Sequence, residues 1–161
     1  MRLSNIVFGA VVAMQQIYAA GALPTRFAGR NAPSSKMPLE RRSLDVDSLN
    51  CMPEWFDIHQ SMAYNSWIQE GIDYLRKIPT GKPALGPGPG NCERVSCEWE
   101  SAIYWCNEGS ETKELDSFGT IADAAEYIQQ SPACRHDEGY WIMGQVYMKD
   151  QWSVKIQTDK C

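Results

Sequence analysis

Several familiar signatures are missing from this sequence, and each absence narrows what the chain can do. Neither G-x-S-x-G nor H-E-x-x-H occurs, and the glycine-rich stretch from Lys82 to Gly90 is interrupted by prolines and opens no helix. The common hydrolase and phosphate-cradling routes therefore lose their support. There is no N-x-S/T acceptor, so N-glycosylation is not expected. Histidine is scarce, with only His59 and His136, and no cysteine pair has the close C-x2-C spacing of a zinc site; the nearest two are Cys92 and Cys97. No metal or other cofactor is expected. The longest apolar run falls short of the roughly 20 residues a membrane-spanning helix needs.

That run carries the first positive signal. Arg2 precedes the apolar stretch Ile6 to Met14, and the small residues Ala19-Ala20-Gly21-Ala22 follow. A positive flank, a short apolar segment and an A-x-A-like site are the layout of a secretory signal peptide over residues 1–22. Residues 23–42 are rich in Pro, Ser, Ala, Gly and basic side chains and end in Leu39-Glu40-Arg41-Arg42. Such a composition buries too little apolar surface to fold, and exposed disordered backbone is where proteases cut. A dibasic-cutting, kexin-type enzyme acting at Arg41-Arg42 would release residues 43–161 from a disordered propeptide.

All six cysteines, Cys51, Cys92, Cys97, Cys106, Cys134 and Cys161, lie beyond that cut. An even number in an exported domain implies disulfides, and six cysteines leave the connectivity open among fifteen possibilities. Aromatic residues make up 11% of the chain, six of them tryptophan, which argues against wholesale disorder. Cleavage after Arg42 removes six of the fifteen basic residues and one of the twenty acidic ones, leaving nine against nineteen and a net charge of −10. A surface of that sign repels phosphate backbones and anionic lipid, so neither nucleic acid nor a membrane is an expected partner.

Periodicity then divides the remainder. Ile58, Met62, Ile68, Ile72 and Leu75 recur at helical spacing between Asp57 and Ile78, with Pro79 and Gly81 closing the run. Lys82 to Gly90 is a connecting loop. Arg94 to Cys106 reads as a hairpin breaking near Glu100-Ser101. One register sets Cys97 opposite Cys106 and gathers Val95, Trp99, Ala102 and Tyr104. The other gathers Val95, Trp99, Ile103 and Trp105, sends Cys106 to the opposite face, and is preferred because it buries more. Thr120 caps a second helix through Ile121, Ala124, Ala125 and Ile128, ending before Pro132. Tyr140 to Gln157 forms a second hairpin around Lys149-Asp150-Gln151. The expected fold is α+β: two helices packed on a four-stranded antiparallel sheet, in the order helix, hairpin, helix, hairpin, and stapled by disulfides.

No catalytic residues are expected. Asp57, His59 and Ser61 sit at i, i+2 and i+4, which do not face one another on a helix as a triad must. A secreted ribonuclease would look to His136 beside Asp137 and Glu138, and a glycosidase to carboxylates such as Glu98 and Glu100, but a solvated turn and an exposed strand face explain these equally well. Trp99, Trp105, Trp141 and Trp152 could instead serve a glycan-binding or protein-binding face.

The stretch Cys92-Glu93-Arg94-Val95-Ser96-Cys97, with Ile103-Tyr104-Trp105-Cys106-Asn107, the Leu39 to Arg42 site, the Ile121 to Ala125 helix and Gly144-Gln145 ahead of Cys161, resembles small secreted cysteine-rich effector-like proteins of plant-associated filamentous fungi. That resemblance implies a monomeric, non-enzymatic protein of the host apoplast that binds an extracellular host protein and dampens defence. One mode it implies is inhibition of a papain-like cysteine protease. Such an inhibitor presents a rigid loop or wedge, and two places are open for it: the loop carrying Pro87 and Pro89, or the turn Lys149, Asp150 and Gln151.

Overall fold

The computed structural model describes residues 44–51 and 62–161. The expected signal peptide, propeptide and Arg41-Arg42 cleavage site lie outside these residues, as do Asp57, His59, Ser61 and the N-terminal part of the first expected helix.

The closing hairpin shows how alternation becomes a sheet. Val146 and Met148 on one strand and Trp152, Val154 and Ile156 on the next are buried in the core, with polar or small residues between them. Their register sets Trp152 opposite Met148 and Val154 opposite Val146. Because side chains alternate across a strand, this pairing directs every apolar residue of the hairpin to one face. Along the chain the elements are β1 (Val46–Asn50), β2 (Ala63–Tyr64), α1 (Asn65–Lys77), β3 (Ala84–Leu85), β4 (Asn91–Glu98), β5 (Ser101–Asn107), β6 (Lys113–Glu114), α2 (Phe118–Gln130), β7 (Arg135–His136), β8 (Trp141–Ile142), β9 (Gly144–Met148) and β10 (Trp152–Thr158).

The main sheet has five antiparallel strands in the order β1-β9-β10-β5-β4. The expected count of four is corrected by β1, whose residues Val46–Asn50 add a fifth strand at one edge of the sheet. They pair with β9 while only Val46 and Leu49 contribute apolar contact, which is too little alternation to signal a strand. The α+β class, the two helices and the disulfide staples stand, while the expected order of helix, hairpin, helix, hairpin is interrupted by short strands: β1 and β2 precede α1, β3 and β6 flank the first hairpin, and β7 and β8 precede the second. Two smaller sheets, β2-β8-β7 and β3-β6, lie beside the main one.

Helix α1 buries Ile68, Gly71, Ile72 and Leu75, spacings that fall on one face of a helix. Full burial of each large side chain contributes about 1.5–3 kcal/mol. Gly71 permits the close approach to the sheet: a Cβ there would stand 2.6 Å from Ser96 Oγ and 3.0 Å from Ile103 Cδ1. The helix begins at Asn65, later than its periodicity suggests, because Ala63–Tyr64 is taken up in pairing with Trp141–Ile142. Helix α2 also begins away from its expected cap. Ser117, with extended backbone, occupies the N-cap position, and Thr120 lies inside the first turn. Its buried Ala122, Ala124 and Ala125 make a smooth face beside Ile121 and Ile128. Arg76 of α1 joins the helices by reaching Asp123 at 3.0 Å and Glu126 at 2.8 Å.

The first hairpin turns through Trp99 and Glu100, both at positive φ (45° and 56°). Positive φ at both central residues is the geometry of a two-residue type I′ turn. Trp99 is thereby expelled from the apolar face on which both expected registers placed it, and it is 66% exposed. Ile103 and Trp105 are fully buried, as are Ala102 and Cys106 on the other side of the strand, and neither expected register forms, since Ser96 stands opposite Ile103. An extra residue at Val95 shifts the pairing between Arg94 and Ser96, so that Cys92 stands opposite Cys106 and Cys97 opposite Ala102. The bonds are Cys92–Cys106, Cys97–Cys161 and Cys51–Cys134. The doubt about a Cys97 to Cys106 bond is thus upheld.

Candidate functional site

Both candidate binding segments converge on one end of the main sheet. The link is the short segment Asn107-Glu108-Gly109, which leaves β5 between them. Gly88 donates its backbone N–H to the Gly109 carbonyl at 2.7 Å. Asn107, itself buried, donates through Nδ2 to the Gly86 carbonyl at 2.8 Å and to the Glu111 carbonyl at 2.6 Å, and its Oδ1 accepts from Gly109 N–H at 2.9 Å. On the other side Glu108 N–H donates to the Gln151 carbonyl at 2.9 Å. One three-residue bridge holds the proline loop and the hairpin turn together.

Glu108 adds a second layer. Its carboxylate accepts from Gly90 N–H at 3.1 Å and from Ser153 Oγ at 2.6 Å, while Ser153 Oγ also lies 2.9 Å from Gln145 Nε2. Ser153 is fully buried and Gln145 nearly so, so these bonds form where solvent competes poorly. The Glu108 charge is felt by its neighbours: burial, and then Glu108, pushes the Tyr147 hydroxyl above its ordinary pKa. Burial lowers the pKa of Lys155, with Glu108 and Asp159 acting against the shift. Lys155 Nζ lies 5.0 Å from the centre of the Tyr104 ring.

Within the turn, Lys149 Nζ pairs with Asp45 at 2.5 Å, and Asp150 pairs with Lys113 Nζ at 2.9 Å while its carbonyl accepts from the same ammonium at 2.7 Å. Gln151 adopts φ of 65°, the left-handed residue that completes a three-residue hairpin loop. Lys149 and Asp150 thus tie the turn to Asp45 and Lys113 through exposed ion pairs. Pro87, Pro89 and the Gln151 side chain face outward beside them, all exposed. The internal bonds hold these exposed groups in place, so less conformational freedom remains to be lost on any contact made there.

The two alternative sets, His136 with its acidic neighbours and Glu98 with Glu100, lie in different sheets. His136 pairs with Trp141 in the small sheet, while Glu98 ends β4 and Glu100 sits in the turn of the main sheet. No hydrogen bond or ion pair among the described residues joins them. Trp105 and Trp152 are core residues, so they do not share a surface with Trp99. Among the described residues no group of three His, Cys, Asp or Glu side chains could hold a metal ion, and no helix is long and apolar enough to cross a membrane. Sequence reasoning missed Asn107, Glu108 and Gly109, although an Asn and a Gly directly after a strand are turn formers. Set against known proteins, the chain matches no family model, no curated protein and no solved structure.

Proposed function

We propose that the chain is a secreted, effector-like protein of a plant-associated filamentous fungus that acts without catalysis, binding an extracellular host protein in the apoplast and suppressing defence. Its mode is inhibition of a papain-like cysteine protease, with the ridge of Pro87, Pro89 and Gln151 entering the partner's cleft. The observation that carries this reading is the bridging of both exposed segments by Asn107-Glu108-Gly109. It turns two short loops into one preorganised surface, which reduces the ordering cost that limits loop-mediated binding. Three disulfides support the same life history, since such bonds persist in oxidising compartments and resist unfolding among proteases.

The test is affinity capture of plant apoplastic proteins on the oxidised protein, followed by protease activity profiling of the captured fraction. A papain-like protease that is enriched and inhibited, and lost when Pro87 and Pro89 are both replaced by Asp, is the expected result. Capture unaffected by those replacements would remove the ridge from the account.

A second reading has its own support. Tyr140, 61% exposed, meets Tyr64 edge-on at 5.6 Å and Trp141 at 5.4 Å, and clustered aromatic faces stack on sugar rings. Retention on a chitin or cellulose resin that disappears in Tyr140→Ala would favour a glycan-binding module.

A further inference from the structure

Strand β4 forms one edge of the main sheet, so its outward backbone groups meet no other strand among the described residues. Protein edges are commonly blunted with charged side chains, proline, β-bulges or a covering element. β4 carries no lysine or proline, and its guards are the bulge at Val95 and the charges of Glu93, Arg94 and Glu98, two of the three acidic. Beside it runs a groove of about 340 Å³, lined by Glu70, Gly71 and Tyr74 of α1 and by Val95, Ser96 and Glu98 of β4. The small Gly71 against Ser96 sets its floor. Tyr74, 56% exposed, lines the groove, and next along the chain from Glu98 the 66% exposed Trp99 stacks on Trp67 with centroids 5.5 Å apart and planes 19° apart.

Charge at this edge is one-sided. Glu70, Glu93, Glu98 and Glu100 have no ion-pair partner among the described residues. Arg94, the cation lining the groove, is already answered by Asp159 at 2.7 Å and by the Lys160 carbonyl at 2.8 Å. Asp123, Glu126, Glu114, Asp150 and Asp45 have cationic partners, while Asp47, Asp73, Glu111, Asp137 and Glu138 elsewhere have no ion pair among the described residues. What sets the edge apart is that its unpaired acids Glu70 and Glu98 line one groove.

We propose that the β4 edge accepts an extended basic segment of a partner protein as an added strand. Backbone groups of the guest pair with β4, alternate lysines or arginines face Glu70 and Glu98, and their aliphatic stems cross the Tyr74 and Trp99 rings. A second copy of this chain is a poor occupant, because β4 against β4 would set the fringes of Glu93 and Glu98 beside each other. The surface is separate from the proline ridge and does not depend on it.

The probe is the peptide acetyl-Thr-Lys-Val-Lys-Thr-Lys-Val-amide, titrated by calorimetry into the disulfide-bonded protein beside its counterpart with glutamate for lysine. Hydrogen exchange is followed in parallel. The lysine peptide binds, the glutamate peptide does not, and amides between Val95 and Glu98 gain protection. Reversing both Glu70→Lys and Glu98→Lys weakens binding about tenfold. Reversing Glu111→Lys and Glu138→Lys, which changes net charge equally at exposed positions elsewhere, leaves it unchanged. No binding, equal weakening by the two reversals, or protection outside β4 would overturn the proposal. Self-association of the protein alone with protection of the same amides would assign the edge to a second copy and overturn it as well.

Discussion

Gly88 and Gly109 face each other across the end of the sheet with a single backbone hydrogen bond of 2.7 Å between them, and the space there admits no side chain. A Cβ on Gly88 would lie 2.0 Å from the Asn107 carbonyl oxygen, well inside van der Waals contact with rigid backbone. Replacing Gly88 by Ala therefore displaces the proline loop from the hairpin turn. The expected cost is about 1–3 kcal/mol in urea unfolding, with partner binding lost more completely than stability. A variant of normal stability and normal binding would show that the two segments act independently.

Asn107 is the side chain that ties the bridge. It is 1% exposed and satisfies the carbonyls of Gly86 and Glu111 and the N–H of Gly109. Asn107→Ala leaves these groups without their partner, a loss of about 1–3 kcal/mol. Amide exchange at Gly109 should accelerate in the variant while exchange in α2 falls only with global stability.

The C-terminal tie responds to acid. Asp159 accepts from the Tyr104 hydroxyl and lies 2.7 Å from Arg94 Nη1. The Tyr104 hydrogen bond, followed by that of Arg94, holds the Asp159 carboxyl below its ordinary pKa. A depressed folded-state value means that this carboxylate contributes stability above its unfolded pKa of about 4, and that the contribution fades as pH falls through the folded value. The melting temperature of the native protein should exceed that of Asp159→Asn at pH 7, and the two should converge as pH drops below about 4. Burial, followed by the bond to Asp159, raises the Tyr104 pKa. Its contribution is present below the unfolded value of about 10 and is lost only as pH rises through the higher folded one. An advantage independent of pH between 2 and 7 (on the order of five units) would show that the carboxylate charge plays no part in the tie.

The disulfides differ in reach. Cys97–Cys161 closes a separation of 64 residues and Cys92–Cys106 one of 14. In the chain-entropy account the longer loop contributes about 1 kcal/mol more, out of roughly 3–4 kcal/mol each. The paired substitution Cys97→Ser with Cys161→Ser should lower the melting temperature by on the order of 10 °C, more than Cys92→Ser with Cys106→Ser does. The reverse order would point to strand geometry rather than loop length as the source of stability.

Much of the core was written in local pattern. Ile68, Ile72 and Leu75 on one side and Val146, Val154 and Ile156 on the other are fully buried where helical and alternating periods place them. Trp99 was misplaced because its turn takes the rarer positive-φ geometry without glycine or asparagine, so no residue type announced it. Strand β1 escaped notice because an edge strand with one half-buried face carries little alternation. Pairing of the cysteines needed the Val95 bulge, which shifts register by one residue and leaves no compositional mark. At the candidate site, Pro87, Pro89 and Lys149 to Gln151 were legible as loops. Their convergence was not, because it depends on long-range contacts through Asn107 and Glu108.

The most direct measurement is a hydrogen-exchange footprint of the oxidised protein, free and bound to the partner captured from apoplastic fluid. The account predicts protection concentrated in Gly86 to Gly90, Asn107 to Gly109 and Lys149 to Gln151, all three together. Protection of other segments, with these three exchanging as in the free protein, would contradict it.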